Sequence, residues 1–248
     1  MSDLDLTTFR ALSFDCYGTL IDWETGISAV LAPWAREQGL DLTDEHLLVT
    51  YADNEAAVER ATPAALYPEV LAAAFRRTGD TLGRPVTDEW AQRLGNSVPD
   101  WPAFPDSADA LARLGQHYLL IILSNVHRNG FAGSNQRLHG DFAAIITAED
   151  VGAYKPAENH FRALDTRLAS LGVNRAELLH VAQSLFHDHV PAKRQRLPSV
   201  WINRRHDQPG WGATPEPSDE WTYDAEFASM GDFADAVDRA FADGPSPT

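Results

Sequence analysis

Residues 10–20 have the sequence RALSFDCYGTL, which predicts one short buried strand and the turn that ends it. The apolar segment Arg10–Phe14 is the strand, and Asp15 follows it at the start of a glycine-containing turn. The next strong strand pattern, Tyr118–Leu123, begins about 100 residues later, whereas a strand–helix–strand unit needs only about 30. We therefore predict that a separate segment is inserted soon after the first strand.

The inserted segment has the apolar spacing of helices. Ile27, Val30, Leu31 and Trp34 recur on one helical face. Further helices are predicted at residues 43–59, 68–77 and 87–94. We predict a helical cap subdomain over residues 22–98 and a core formed by residues 1–21 and 99–248.

Beyond the insertion, helical patterns alternate with short apolar strands. Strands are predicted at residues 118–123, 143–146, 178–182 and 199–203, and helices at 107–116, 159–171, 189–196 and 230–241, with a polar loop at 207–220. This alternation is typical of a parallel sheet covered by helices on both faces. The predicted fold class is therefore α/β, with a doubly wound parallel sheet as the core and an inserted helical subdomain.

Composition excludes several classes of function. Lysine and arginine together number 20 against 36 acidic residues, which gives a net charge of −16 and argues against nucleic acid or an anionic membrane as a partner. The apolar runs are too short to span a bilayer, and we see no signal peptide. A single cysteine, Cys16, rules out an intrachain disulfide and fits a reducing compartment. We expect a soluble, cytoplasmic protein.

Four polar clusters come directly after predicted strands. They are Asp15–Thr19, Ser124-Asn125, Lys155, and the segment from Gln183 to Asp188. In open α/β sheets, ligands bind outside the carboxyl ends of the strands. We therefore expect all four clusters to meet in one pocket.

The same clusters carry a resemblance to a known family. FDCYGTL (14–20), LSN (123–125), YKP (154–156) and VAQSLFHDHVPA (181–192) resemble the motifs of the haloacid dehalogenase superfamily of hydrolases, and most closely those of its type II dehalogenases. The resemblance implies a Rossmann-like core with a cap over the active site. It also implies a small anionic substrate such as a 2-haloacid, no cofactor, and a homodimer as one possible assembly.

The resemblance assigns catalytic roles to three residues. Asp15 matches the nucleophile, which forms a covalent ester with the substrate. Lys155, one of only two lysines in the chain, matches the ammonium that keeps such a carboxylate charged. Asp188 matches the acid that orients the lysine, a metal or the hydrolytic water.

Five further residues are assigned to substrate binding, namely Tyr17, Thr19, Ser124, Asn125 and Ser184. The hydroxyl groups of Thr19 and Ser124 match those that bind the nucleophile or the anionic group of the substrate. Asn125 and nearby backbone N–H groups could hold a carboxylate.

Departures from the family pattern bear on the reaction type. Phosphatases of the superfamily carry a general acid where Tyr17 stands and commonly a magnesium ligand where Gln183 stands. The missing magnesium ligand favours a reaction without a metal. The missing general acid favours cleavage of a carbon–halogen bond, because a halide leaves without a proton. The dehalogenase pattern is also incomplete, since the cap segment 44–48 lacks the arginine that receives the halide. Two alternatives stay open: a phosphatase that binds Mg²⁺ through Asp15 and Asp188, and a non-catalytic binding protein.

Overall fold

The computed structural model describes residues 4–207, 214 and 221–244. A six-stranded parallel sheet forms the core of this described part, in the order β3-β2-β1-β4-β5-β6. The strands are β1 (Ala11–Phe14), β2 (Leu119–Ser124), β3 (Ala144–Thr147), β4 (Leu178–Ala182), β5 (Ser199–Ile202) and β6 (Ala225–Phe227). This is the doubly wound order of a Rossmann-like sheet, which confirms the predicted fold class.

The central strands β1 and β4 lie side by side, with Phe14 opposite Val181. All residues of both strands are buried, as expected for strands covered on both faces. The strand order reverses between β1 and β4, and a crevice opens at such a point outside the carboxyl ends of the strands. Residues that directly follow these two strands therefore face each other across the crevice.

Four helices follow the first strand and its turn: α1 (Trp23–Glu37), α2 (Asp44–Ala61), α3 (Tyr67–Thr81) and α4 (Asp88–Gly95). Asp22, Thr43 and Thr87 cap the starts of α1, α2 and α4, since each side chain accepts a hydrogen bond from a backbone N–H in the first turn. The buried faces of these helices share one apolar cluster with the core sheet. The helices are thus held over the sheet by burial of apolar surface.

Two contacts fix the cap helices against the core. Gly26 in α1 lies so close to the Trp101 ring that an added Cβ would meet it at 2.3 Å. The hydroxyl of Tyr154 donates a 2.8 Å hydrogen bond to the carbonyl of Ala65, which lies between α2 and α3. The first contact packs the start of the cap on its return linker, and the second ties the cap to the loop that carries Lys155.

Six helices cover the core sheet: α5 (Ser107–Leu114), α6 (Arg128–Leu138), α7 (Ala148–Val151), α8 (Asn159–Leu171), α9 (Val190–Arg194) and α10 (Met230–Asp243). A single π turn, Leu185–His189, precedes α9. Within the ranges given above, no helix has the length and hydropathy needed to cross a bilayer.

The structure differs from the sequence prediction at four elements. Helices α6 and α7 and strand β6 were not predicted, because α6 is rich in glycine and polar residues, α7 has only four residues and β6 has only three. The helix predicted at 189–196 begins earlier, with the π turn, and its α-helical part ends at Arg194. Apart from Thr214, the loop predicted at 207–220 lies almost entirely outside the described residues.

Candidate active site

Lys155 links two acids that follow the two central strands. Its Nζ atom donates hydrogen bonds to Asp15 Oδ1 at 2.9 Å and to Asp188 Oδ1 at 2.7 Å. A third bond, also of 2.9 Å, runs from Nζ to the carbonyl of Leu123 at the end of β2. An ammonium group has three protons, so all three are used within the protein.

The two acids differ in their electrostatic environment. Burial raises the pKa of Asp15, although the attraction of Lys155 and the hydrogen bond from Thr19 oppose this shift. Burial would also raise the pKa of Asp188, but Lys155 and His180 outweigh it and hold that pKa well below its ordinary value. The pKa of Lys155 is raised, since the two carboxylates outweigh the effect of its burial. The lysine is therefore an ammonium and Asp188 a carboxylate at neutral pH.

His180 holds Asp188 from inside the sheet. Its Nε2 atom lies 3.1 Å from Asp188 Oδ1, and its Nδ1 atom lies 2.9 Å from the hydroxyl of Ser13 in β1. Because the carboxylate can only accept, Nε2 donates to Asp188, while the contact between Nδ1 and Ser13 joins the other side of the ring to β1. Oδ1 of Asp188 thus accepts two bonds, while its buried Oδ2 has no partner within the described part of the chain.

Thr19 supports the nucleophile candidate. Its hydroxyl donates to Asp15 Oδ2 at 2.7 Å and accepts from the backbone N–H of Gln183 at 2.9 Å. This connects the turn after β1 to the end of β4. The structure places Thr19 on Asp15 and away from the cavity wall, so its contact is with the carboxylate.

The two polar residues after β2 are placed differently. Asn125 lies at the cavity and forms two hydrogen bonds with the backbone of Lys155. Asn125 Oδ1 accepts from the Lys155 N–H at 2.7 Å, and Asn125 Nδ2 donates to the Lys155 carbonyl at 3.2 Å. Ser124 is fully buried and is not part of the cavity wall. Its hydroxyl has no hydrogen-bond partner among the described residues. Of the two residues that follow β2, the structure therefore brings Asn125 but not Ser124 to the cavity where a substrate could bind.

Tyr17 and Ser184, the remaining predicted binding residues, both line the cavity. The Tyr17 hydroxyl lies 2.9 Å from Ser134 in α6, and burial raises its pKa well above the ordinary value. Ser184 caps the π turn, because its hydroxyl accepts from the N–H of His187 at 3.1 Å and lies 3.0 Å from Nδ1 of the same ring. Burial lowers the pKa of His187 to about 4, so this ring is neutral.

The cavity has a volume of about 80 Å³, which suits a substrate of a few heavy atoms. It lies between the core and the cap helices, and its wall consists of Asp15, Tyr17, Trp23, Ala52, Glu55, Ala56, Glu59, Tyr67, Asn125, Lys155, Gln183, Ser184, His187, Asp188 and Thr214.

The sequence analysis did not predict the cap side of this wall. Glu55 and Glu59, one turn apart on α2, face the cavity. The hydroxyls of Tyr51 and Tyr67 both donate to Glu55 Oε1, at 3.2 and 3.0 Å. Burial raises the pKa of Glu55 to about 7 and that of Glu59 well above its ordinary value. The i, i+4 spacing of the glutamates was a visible signal, but it is also the spacing of an ordinary solvated helix face.

The described residues do not fit a magnesium site. Mg²⁺ prefers several oxygen ligands in octahedral geometry. Here the two acids are joined through the Lys155 ammonium, which occupies Oδ1 of each, and neutral Gln183 stands where a further carboxylate would be needed. In residues 4–207, 214 and 221–244, no group of three His, Cys, Asp or Glu side chains could hold a metal ion.

Comparisons with known proteins agree with this architecture. A sequence model of haloacid dehalogenase-like hydrolases matches residues 9–182. An (S)-2-haloacid dehalogenase from Pseudomonas putida is 26% identical over 215 residues, covering 81% of this chain and 87% of the relative.

Solved structures of similar fold include a defluorinating L-2-haloacid dehalogenase, with a TM-score of 0.75 and 18% identity over 96% of this chain and 100% of the neighbour. An L-2-haloacid dehalogenase from Xanthobacter autotrophicus, solved with chloropropionic acid covalently bound, has a TM-score of 0.73 and 20% identity over 93% of this chain and 98% of the neighbour.

Proposed function

Since the chain belongs to the haloacid dehalogenase-like hydrolases, we propose that it hydrolyses the carbon–halogen bond of small 2-halo compounds through an ester on Asp15. The 2-haloacids, which give 2-hydroxyacids, are the starting class, because the curated relatives are named for them. The observation that carries the proposal is the buried cluster of Asp15, Lys155 and Asp188 at the wall of a small cavity.

In the first step, a carboxylate oxygen of Asp15 attacks the carbon that bears the halogen. The new C–O bond forms as the C–X bond breaks, and the halide leaves with the bonding electrons and with inversion at carbon. Lys155 favours the ionised form of Asp15 and so opposes the effect of burial, which raises the pKa of this carboxyl group. A halide needs no proton, which is consistent with Tyr17, whose raised pKa makes it a poor acid.

In the second step, water attacks the carbonyl carbon of the Asp15 ester. The bond from that carbon to the oxygen that carries the substrate carbon breaks. One proton of the water goes to the alcohol product and the other is released to solvent, so the carboxylate is restored with one oxygen from water. Asp188 Oδ2, which is buried and unpartnered within the described part, is available to accept a hydrogen bond from this water. Its Oδ1 is held by Lys155 and His180.

The test is turnover in ¹⁸O-labelled water with chloroacetate, fluoroacetate and 2-chloropropionate as candidate substrates. We expect halide release, ¹⁸O in the peptide that contains Asp15, and loss of both signals in Asp15→Asn. Asp109→Asn, an exposed acid on α5, is the control and should behave as the wild type. Turnover without label in Asp15 would overturn the ester mechanism. Phosphate release from a panel of phosphate esters, abolished by EDTA, would favour the phosphatase instead.

A further inference from the structure

The cavity offers no free cation to an anionic substrate. Lys155 is the only lysine or arginine among its described wall residues, and its three protons are donated to Asp15, Asp188 and the carbonyl of Leu123. His187 is neutral, because burial lowers its pKa to about 4. A carboxylate that enters this cavity would lose its hydration without gaining an ion pair.

The cap side of the cavity presents two carboxyl groups. The tyrosine hydroxyls that bond to Glu55 both use Oε1, which leaves Oε2 for the cavity. Glu59 has no hydrogen bond or ion pair of 4.0 Å or less to any of the residues that the structure describes. An anionic substrate would therefore gain no ion pair from the cap side, and the Asp188 carboxylate on the opposite wall would repel it.

Aromatic rings complete the same wall. Tyr17, Trp23 and Tyr67 all line the cavity beside the two glutamates. The faces of tyrosine and tryptophan rings attract cations, and such rings beside carboxylates are typical of sites that recognise ammonium groups.

We propose that the preferred substrate carries an ammonium group, which Glu55 and Glu59 bind on the cap side while Asp15 attacks the halogen-bearing carbon on the core side. This assignment rests on the proposed function and changes its substrate class from simple 2-haloacids to small halogenated amines. Glu55 and Glu59 are then residues that determine specificity.

The charge state of the glutamates supports this assignment. Burial raises the pKa of both, so the empty pair retains protons near neutral pH, whereas a bound ammonium stabilises the ionised pair. Three groups on the surrounding elements act on this pair: the neutral hydroxyls of Tyr51 and Tyr67, which donate to Glu55, and the Lys155 ammonium, which acts on Glu59 from across the cavity. Exposed Arg60, the neighbour of Glu59 on α2, also acts on it but does not line the cavity.

The first test measures binding, which does not depend on turnover. Calorimetric titration with ethylammonium, acetamide and acetate, three probes of similar size, should rank ethylammonium first in the wild type. In Glu55→Gln and Glu59→Gln the affinity for ethylammonium should fall roughly tenfold and that for acetate should not. Glu89→Gln, an exposed acid on α4, is the matched control. Equal affinity of wild type and variants for ethylammonium, or stronger binding of acetate by the wild type, would overturn the proposal.

The second test compares halide release from 2-chloroethylammonium, chloroacetamide and chloroacetate. The halogen-bearing carbons of the three substrates differ in intrinsic reactivity. The informative quantity is therefore the rate of halide release by each variant divided by that of the wild type, for one substrate at a time. This ratio should fall for the ammonium substrate and stay level or rise for chloroacetate. Absence of halide release from all three would contradict the dehalogenase function, while the binding titrations would still decide the role of the glutamates. If Glu55→Gln fails to fold, Glu59→Gln alone carries both tests.

Discussion

Lys155 Nζ lies 2.9 Å from Asp15 Oδ1, although 140 residues separate the two in the chain. The exposed fractions of the two side chains are 1% and 8%, so the ion pair is almost completely shielded from water. In such surroundings the loss of one partner leaves a buried charge without compensation. Loss of one partner alone should therefore destabilise the folded state as well as impair the proposed chemistry.

Lys155→Met should destabilise the protein by about 3–5 kcal/mol at pH 7, since Asp15 and Asp188 would then lie close together without a cation. Urea unfolding measures the change. Arg162→Met, which removes the cation of an exposed pair with Glu158, should cost less than about 1 kcal/mol. Similar costs for the two variants would show that the buried cluster is not stabilised by Lys155.

His180→Phe should lower kcat by roughly tenfold to a hundredfold, because Asp188 loses a charge-assisted hydrogen bond of about 1.5–3 kcal/mol that fixes its orientation. We expect the Asp15 ester to accumulate, since Asp188 acts on the second step. Rapid-quench mass spectrometry measures this accumulation, and kcat/KM, which reports the steps up to ester formation, should change little. Ser13→Ala, which keeps the bond from His180 to Asp188, is the control. An unchanged ester level in His180→Phe would leave His180 with a packing role only.

His160 and His189 should make the protein less stable as the pH falls. Burial lowers the pKa of each to about 4, below the ordinary value of 6.5. Between these values the unfolded chain binds protons that the folded chain does not, so the free energy of unfolding decreases from pH 6.5 to pH 4. The loss is roughly 3 kcal/mol for each histidine, and His160→Gln should reduce the slope of unfolding free energy against pH. Equal slopes in variant and wild type would contradict this.

Glu55→Gln should stabilise the protein in alkaline solution. Burial raises the pKa of Glu55 from 4.5 to about 7. The unfolded chain releases this proton at lower pH than the folded chain does, so Glu55 reduces stability as the pH rises through this range. Allowing for water in the cavity, the variant should gain about 2 kcal/mol over the wild type between pH 5 and pH 8. The amide oxygen still accepts from both tyrosines, and a gain independent of pH would point to packing instead.

Gly26→Ala should destabilise the protein by roughly 1–3 kcal/mol, although alanine is the better helix former. The added methyl group would meet the Trp101 ring at 2.3 Å, and that ring is buried between α1 and the core. Thermal unfolding measures the loss. Ala29→Gly, which sits elsewhere on α1, tests helix propensity without this contact.

The sequence predicted the core side of the site better than the cap side. Asp15, Lys155 and Asp188 could be placed together because each follows a strand of a parallel sheet, whose edge brings strand ends into one crevice. Glu55 and Glu59 could not be placed, because the orientation of α2 over the core depends on packing between helices distant in sequence.

The same limit applies to the supporting hydrogen bonds. His180 lies in the middle of β4, where the pattern predicts only a buried strand, and its bond to Asp188 depends on the π turn that brings this acid back toward the sheet. Helix α6 was missed because Arg128–Leu138 lacks a regular apolar stripe, although it supplies the serine that contacts Tyr17.

The hydrogen bond from Tyr154 to Ala65 makes the position of the cap depend on the backbone beside Lys155. Any displacement of the segment between α2 and α3 has to break this bond or carry Tyr154 with it. Substitutions at this distant contact can therefore alter the alignment of Lys155 without touching the cavity itself, because Tyr154 is its immediate neighbour in the chain.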